Sequence, residues 1–186
     1  MENDIEKLKF PIGKYKAILE FNFSRTVEDI KTLESFANNL RNSVKGLDKT
    51  DFKKTYRKGG MNIAQIIHHY CDTHTYAFLR TKHTLLEDNP SVKMYEVSEF
   101  LTTPESNVLD VEDSLKVIEG IHAKWVSLLK TLSQDDFNKT YYHSARDKNI
   151  ILHEHVGMYA WHTKHHLVHI GMAKESIKEK GKRSKQ

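Results

Sequence analysis

The chain contains a single cysteine, Cys71, among its 186 residues. One cysteine cannot form an intrachain disulfide, and proteins without disulfides are typical of the cytosol. Long hydrophobic runs are also absent, because no apolar stretch reaches the ~18 residues of a membrane-spanning helix. The first residues lack the basic and then apolar layout of a signal peptide. We therefore expect a cytoplasmic protein without a membrane partner.

An excess of one charge is confined to the C-terminal end of the chain. The formal net charge is +4, and residues 174–186 account for all of it, with six Lys or Arg and two acidic residues. This basic segment contains no aromatic residue on which a base could stack, so no nucleic-acid partner is expected. We predict that residues 177–186 form a basic, flexible tail.

Four segments carry apolar residues at steps of three and four, the spacing of an amphipathic helix. The first follows a predicted N-cap at Ser24 and ends near Gly46. The second begins at Asn62, which is predicted to form a capping box with Gln65, and ends near residue 87. The third follows Asp110, and the fourth begins near residue 151. No convincing pair of strands is apparent.

These segments predict one all-α domain, a four-helix bundle over residues 24–176. Pro11 and Gly13 interrupt helix near the N-terminus, so residues 1–23 are predicted to form an extended arm laid over the bundle. The connection between the second and third helices, residues 89–109, is long enough to cross the bundle. The topology therefore need not be simple up-and-down.

The fourth helix carries the most informative stretch, residues 159–170, in which four of twelve residues are histidine. On a helical wheel His162 and His166 lie ~40° apart and face inward, with His155 and His169 nearby and His165 on a flank. Imidazoles four residues apart can converge on one metal ion. The alternative is a set of ordinary core histidines, and spacing alone does not decide between the two. For a third ligand, periodicity slightly favours His74 of the second helix over His69, with His122 of the third helix as another rival.

Several motifs in fixed order give the chain a resemblance to a known family. They are Phe10-Pro11-Ile12-Gly13-Lys14-Tyr15, Tyr56-Arg57-Lys58-Gly59-Gly60, His68-His69-Tyr70-Cys71-Asp72-Thr73-His74 and Tyr159-Ala160-Trp161-His162-Thr163-Lys164-His165-His166. Between residues 10 and 173 the chain resembles the DinB superfamily of metal-binding four-helix bundles. Within it, the chain is most similar to YfiT-like metal-dependent hydrolases and related bacillithiol transferases. One departure is Met61, where the family usually has tryptophan, which bears on local packing and not on the ligands.

The resemblance implies metal ligation by His69, His162 and His166, with one divalent ion, zinc or nickel, per chain. It also implies a homodimer and a small-molecule substrate. If the protein is a thiol transferase, that substrate includes a low-molecular-weight thiol. Three functions stay open: a hydrolase using metal-activated water, a thiol S-transferase of the bacillithiol type, and a non-catalytic metal-binding or ligand-binding bundle. Tyr76 and Arg80 lie on the same face of the second helix as His69 and are candidate residues of a polar cleft.

No general base is evident in the sequence, because the motif H-E-x-x-H is absent and Cys71 is predicted to face away from His69. The catalytic residues therefore stay unassigned, and any chemistry is expected to be centred on the metal. The remaining inward histidines are expected to support packing without affecting metal occupancy. These are His74, His122, His155 and His169.

Overall fold

The computed structural model describes residues 2–92 and 97–183. Its helices are α1 (Glu2–Lys9), α2 (Phe23–Val44), α3 (Ile63–Leu86), α4 (Val97–Phe100), α5 (Glu112–Leu129), α6 (Gln134–Asn138) and α7 (Leu152–Arg183). Its strands are β1 (Ser91–Val92), β2 (Thr140–His143) and β3 (Lys148–Ile151). Short 3-10 helices span Asp51–Lys53, Pro104–Asn107 and Ser144–Arg146.

The four long helices α2, α3, α5 and α7 form the predicted four-helix bundle, which is confirmed. Helix α2 packs against α5 and α7, and α3 packs against the same two helices. Helices α2 and α3 therefore lie at opposite corners, although they follow one another in the chain.

Two apolar clusters at opposite ends of the bundle define the helix directions. One cluster joins the C-terminal half of α2 to the N-terminal halves of α3 and α5 and the C-terminal part of α7. The other joins the opposite parts of the same helices. The topology is therefore up-down-down-up, and the chain between α3 and α5 returns along the whole bundle. This is the crossover that the long connection allowed.

The N-terminal segment is not extended throughout, so the predicted arm over residues 1–23 is wrong in its first part. Helix α1 covers Glu2–Lys9, ahead of the breaking residues Pro11 and Gly13. Gly13 has φ of +79°, a conformation that favours glycine. The following residues lie on the bundle, where the Tyr15 hydroxyl donates to the Glu154 carbonyl over 3.0 Å.

A small three-stranded sheet covers one end of the bundle, where the sequence analysis expected no strand pair. Strands β2 and β3 form an antiparallel hairpin, and β1 pairs in parallel with β2. Tyr141, Ile150 and Val92 form a small apolar cluster of their own. The hairpin turn includes Asp147 in the left-handed conformation, a turn signal that is weak without glycine.

The helix ends agree only partly with the predictions. The capping box is confirmed, since Asn62 Oδ1 accepts from Gln65 N over 2.8 Å and Gln65 Oε1 accepts from Asn62 N over 3.0 Å. The cap of α2 is Asn22 and not Ser24, because Asn22 Oδ1 accepts from Arg25 N over 2.9 Å. Asp110 Oδ1 does accept from Glu112 N, at 3.1 Å, although Val111 is the residue at the cap position of α5.

The last helix extends past the predicted end of the bundle at residue 176. Helix α7 continues to Arg183, so most of the segment predicted as a flexible tail is helical backbone, and residues 184–186 lie outside the described residues. Within residues 2–92 and 97–183, none of the helices is long and apolar enough to span a bilayer.

Several histidines are buried among the bundle helices. His74, His122 and His155 are almost completely buried. Burial in the core lowers the pKa of His122 to about 4. The pKa of His155 is lowered to about 3, first by burial and then by the positive charge of Arg80. The ring of His155 is nevertheless satisfied: Nε2 donates to the Ala77 carbonyl over 3.1 Å, so Nδ1 accepts from the Tyr141 hydroxyl over 2.9 Å.

These lowered pKa values predict that the metal-free protein loses stability in mild acid. Above about pH 6.5 the histidines are neutral in both folded and unfolded chains. Below that pH the unfolded chain binds protons that the folded core excludes, so the free energy of unfolding falls as the pH drops toward 4. Replacing one buried histidine in His155→Gln should reduce this slope by about 1 kcal/mol per pH unit. Urea denaturation between pH 7.5 and 4.5 with a chelator present measures the slope.

The matched control is His83→Gln, because His83 is exposed and pairs with Glu87, the residue that caps the C-terminal end of α3. Its slope should stay close to that of the unmodified chain. Equal slopes for the two variants would show that buried imidazoles do not set the acid sensitivity.

Candidate metal centre

Three histidines from two neighbouring helices bring their nitrogen atoms together near the middle of the bundle. His69 lies on α3, and His162 and His166 lie one turn apart on α7. One ring nitrogen from each lies within 4.8 Å of the others. His69 Nε2 and His162 Nε2 are 3.0 Å apart. His69 and His166 are buried, while His162 is partly exposed, so the group has one side toward solvent.

The arrangement suits a tetrahedral divalent ion. Zinc–nitrogen bonds of ~2.0–2.1 Å place two tetrahedral ligand atoms roughly 3.3 Å apart, close to the distance between the Nε2 atoms of His69 and His162. The imidazoles are also unprotonated near neutral pH. Burial lowers the pKa of His69 to about 4 and holds the pKa of His162 and of His166 well below its ordinary value. Their lone pairs are therefore available without prior loss of a proton.

His74 and His122, the other candidates for the third ligand, lie outside the group of converging nitrogens. His74 Nε2 lies 3.1 Å from His162 Nδ1, and His74 Nδ1 lies 2.8 Å from His122 Nε2. His74 and His122 therefore lie behind His162, on the side of its ring away from the cluster. The expectation that these residues serve packing alone missed this contact, which a single helical wheel cannot show because it involves three helices.

His169 likewise contacts a ring nitrogen of a candidate ligand, in this case His166. The two Nδ1 atoms are 3.1 Å apart, and His169 Nε2 lies 3.0 Å from the Leu8 carbonyl oxygen of α1. The ring of His169 stacks on Tyr56, with 3.7 Å between centroids and 12° between planes. Of the four histidines assigned to packing, only His155 makes its hydrogen bonds independently of the ligand candidates.

A second group of close nitrogen atoms competes for a metal. It consists of His165, His166 and His169, again within 4.8 Å of one another. It shares His166 with the first group, and both nitrogens of His169 are already engaged. His165 is stacked on Trp161 with centroids 4.5 Å apart. In the group of His69, His162 and His166, metal binding would disrupt the contact between His69 and His162. It would leave the hydrogen bonds of His169 intact.

The predicted cleft is more closed than the helical wheel indicated. Arg80 is only 4% exposed, and its Nη1 donates to the Tyr159 hydroxyl over 3.3 Å. Its Nε and Nη2 are buried and have no hydrogen-bond partner among the described residues. Tyr76 is partly exposed, and the guanidinium carbon of Arg80 lies 5.7 Å from its ring centroid.

Among the described residues, neither histidine group includes a cysteine or a carboxylate. Cys71 is half-buried, and burial and the neighbouring Asp72 raise the pKa of its thiol. The donor set is therefore three neutral nitrogens, which suits zinc, nickel or copper better than the oxygen-seeking magnesium or calcium.

Comparison with known proteins gives consistent relatives. A protein of Oceanobacillus iheyensis named "putative metal-dependent hydrolase" is 37% identical over 162 residues, covering 87% of this chain and 93% of that protein. A Geobacillus kaustophilus protein of the same description is 34% identical over 166 residues, covering 89% and 93%. YfiT from Bacillus subtilis, also named "putative metal-dependent hydrolase", is 30% identical over 163 residues, covering 88% and 92%.

The solved structure of Bacillus subtilis YfiT superposes on this chain with a TM-score of 0.89 and 29% sequence identity, covering 92% of this chain and 98% of that one. That structure is described as having an unusual four-helix bundle topology. The family model of the DinB superfamily matches residues 32–170. The matched segment includes the bundle helices that carry all three histidines, and the chain belongs to the DinB superfamily.

Proposed function

We propose that the protein is a hydrolase that uses one divalent ion, zinc or nickel, held by His69, His162 and His166. The observation that carries the proposal is the convergence of three unprotonated imidazole nitrogens within 4.8 Å. Relatives named as metal-dependent hydrolases support it. Three neutral ligands leave such an ion with its full +2 charge, so it would lower the pKa of bound water to ~7 and polarise a carbonyl.

The chain's own residues supply access and orientation. Partial exposure of His162 gives the centre an open side, where a catalytic site needs one. The Thr73 hydroxyl donates to the His69 carbonyl over 2.7 Å, which fixes the backbone that presents His69. Tyr76 and Arg80 are proposed to bind the substrate. The buried N–H groups of Arg80 that have no partner within residues 2–92 and 97–183 favour an anionic or carbonyl oxygen as acceptor.

A thiol transferase is the second candidate, and the composition of the centre favours it. A general base usually assists hydrolysis by metal-bound water, yet neither histidine group includes a carboxylate that could act as one. A thiol would release its proton to solvent when it binds the ion as thiolate, and its later attack on an electrophile would need no general base in the centre.

Metal binding is tested by single substitutions of the ligands. His69→Ala, His162→Ala and His166→Ala should each lose most of the bound metal, because two imidazoles hold an ion poorly. Metal analysis after dialysis measures occupancy, and circular dichroism should show that the variants stay helical. His155→Ala is the control, with reduced stability and full occupancy. X-ray absorption should show only nitrogen or oxygen around the ion, and a sulfur ligand would contradict the assignment.

The reaction is tested on zinc-loaded, nickel-loaded and chelator-treated protein. One assay follows hydrolysis of ester and amide substrates, and the other follows loss of free thiol in the presence of an electrophile. We expect metal-dependent ester or amide hydrolysis that His69→Ala abolishes. Thiol loss without hydrolysis would establish the second candidate instead. Activity that is unchanged in metal-free protein would exclude both, and activity in neither assay would favour a non-catalytic binding protein.

A homodimer is also part of the proposal. Phe23 and Leu19 are 72% and 67% exposed, and apolar side chains of this size on a surface favour a protein interface. Light scattering should give about twice the chain mass of 21.7 kDa. Replacing both residues in Leu19→Ser with Phe23→Ser should shift the particle toward a monomer. A monomeric unmodified chain at micromolar concentration would contradict this part of the proposal.

A further inference from the structure

A chain of four imidazoles connects the backbone of α2 to the candidate metal centre. His122 Nδ1 lies 2.8 Å from the Leu33 carbonyl oxygen. His122 Nε2 then contacts His74 Nδ1 at 2.8 Å, and His74 Nε2 contacts His162 Nδ1 at 3.1 Å. The chain ends at the 3.0 Å contact between His162 Nε2 and His69 Nε2.

The contact between His122 and the Leu33 carbonyl determines which nitrogen carries the proton in each imidazole that follows. A carbonyl oxygen only accepts, so His122 Nδ1 must carry the proton. In a neutral ring His122 Nε2 is then an acceptor, and His74 Nδ1 must donate to it. His74 Nε2 is then an acceptor, so His162 Nδ1 must donate to it. The lone pair of His162 Nε2 is left directed toward the candidate metal centre. We take both rings as neutral because His74 and His122 are almost completely buried, and the hydrogen bonds cited above join them to imidazoles and a carbonyl but to no carboxylate.

A second, shorter chain leads to the other histidine of α7. His169 Nε2 donates to the Leu8 carbonyl of α1 over 3.0 Å. This carbonyl belongs to the last turn of a helix, where no intrahelical donor is available. His169 Nδ1 is therefore an acceptor, and His166 Nδ1 must donate to it over 3.1 Å. The lone pair of His166 Nε2 is left free, as it is in His162.

We propose that His74 with His122, and His169, are positioning residues that hold His162 and His166 in the tautomer whose Nε2 lone pair can bind the ion. The proposal rests on the ligand assignment made above, but it adds residues from α3, α5 and α7 that touch no metal. It also gives α1 a role, because the Leu8 carbonyl sets the proton order of the second chain. Partners of this kind typically contribute 10–100-fold to metal affinity.

The metal-free, unmodified protein provides the first test. Long-range proton–nitrogen correlation of the imidazole rings by NMR reports which nitrogen of each neutral ring carries the proton. We expect the proton on Nδ1 in His74, His122, His162 and His166, and on Nε2 in His169. A proton on Nε2 of His162 or His166 would overturn the proposal, whether or not the protein binds metal.

Matched substitutions provide the second test. Gln and Met have similar length, but only Gln offers an oxygen that can accept from His162 Nδ1, so His74→Gln is paired with His74→Met. For the same reason His169→Asn is paired with His169→Leu. Zinc dissociation constants are measured by competition with a chelating indicator. Met and Leu should weaken binding about 10–100-fold, while Gln and Asn should stay within about threefold of the unmodified protein.

The third comparison separates this proposal from the ligand assignment. His155→Gln and His155→Met form a control pair, because His155 is buried without contacting either chain, and both should bind zinc normally. Equal zinc affinity within the His74 pair and the His169 pair, together with metal loss in His162→Ala, would overturn the positioning role and leave the metal centre intact. Metal retention in His162→Ala would instead refute the ligand assignment, and the NMR result would still decide the proton order.

Discussion

The cost of burying imidazole is the constraint on which the rest of this core depends. Each buried ring has two nitrogens, one donor and one acceptor when neutral, and a nitrogen without a partner costs free energy. The rings of His122, His155 and His169 donate to the backbone carbonyls of Leu33, Ala77 and Leu8. Because a carbonyl cannot donate, each of these contacts fixes which nitrogen of the ring carries the proton. The Leu33 carbonyl thus determines the proton position on His162, which is three hydrogen bonds away.

Bundle topology makes these contacts possible. In the up-down-down-up order, α3 lies beside both α5 and α7, so His74 can contact His122 on one neighbour and His162 on the other. The Tyr70 hydroxyl donates to the Thr163 carbonyl over 2.6 Å and fixes the axial position of α3 against α7. A simple up-and-down bundle would place α2 and α3 side by side and move α3 away from one of these partners. The long crossover, with β1 packed against the β2–β3 hairpin, is the structural cost of this arrangement.

Helical periodicity was sufficient for the four long helices because each buries one continuous apolar face. The capping box at Asn62 and the start of α7 were also predictable, because both depend on local sequence. The remaining elements depend on tertiary contacts. Helix α1 and the small sheet are short, and their contacts with the bundle include the Leu8 carbonyl with His169 and the Tyr141 hydroxyl with His155, so neither has a strong local signal. Cap selection between Asn22 and Ser24 was equally undetermined, since both residue types are good caps.

If the proposed assignment of His69 holds, inward orientation alone does not identify a metal ligand in this bundle. His74 is the more central residue of α3 on the helical wheel, and it is also the more deeply buried of the two in the structure. That depth places it behind His162, where it contacts Nδ1 and has no route to solvent. A catalytic ion needs an open position, so its ligands belong at the edge of the buried face, as His69 is, with partly exposed His162 beside it. Residues five apart on one helix point about 140° away from each other. Helix α3 can therefore carry both the proposed ligand His69 and, five residues further on, the hydrogen-bond partner of the proposed ligand His162.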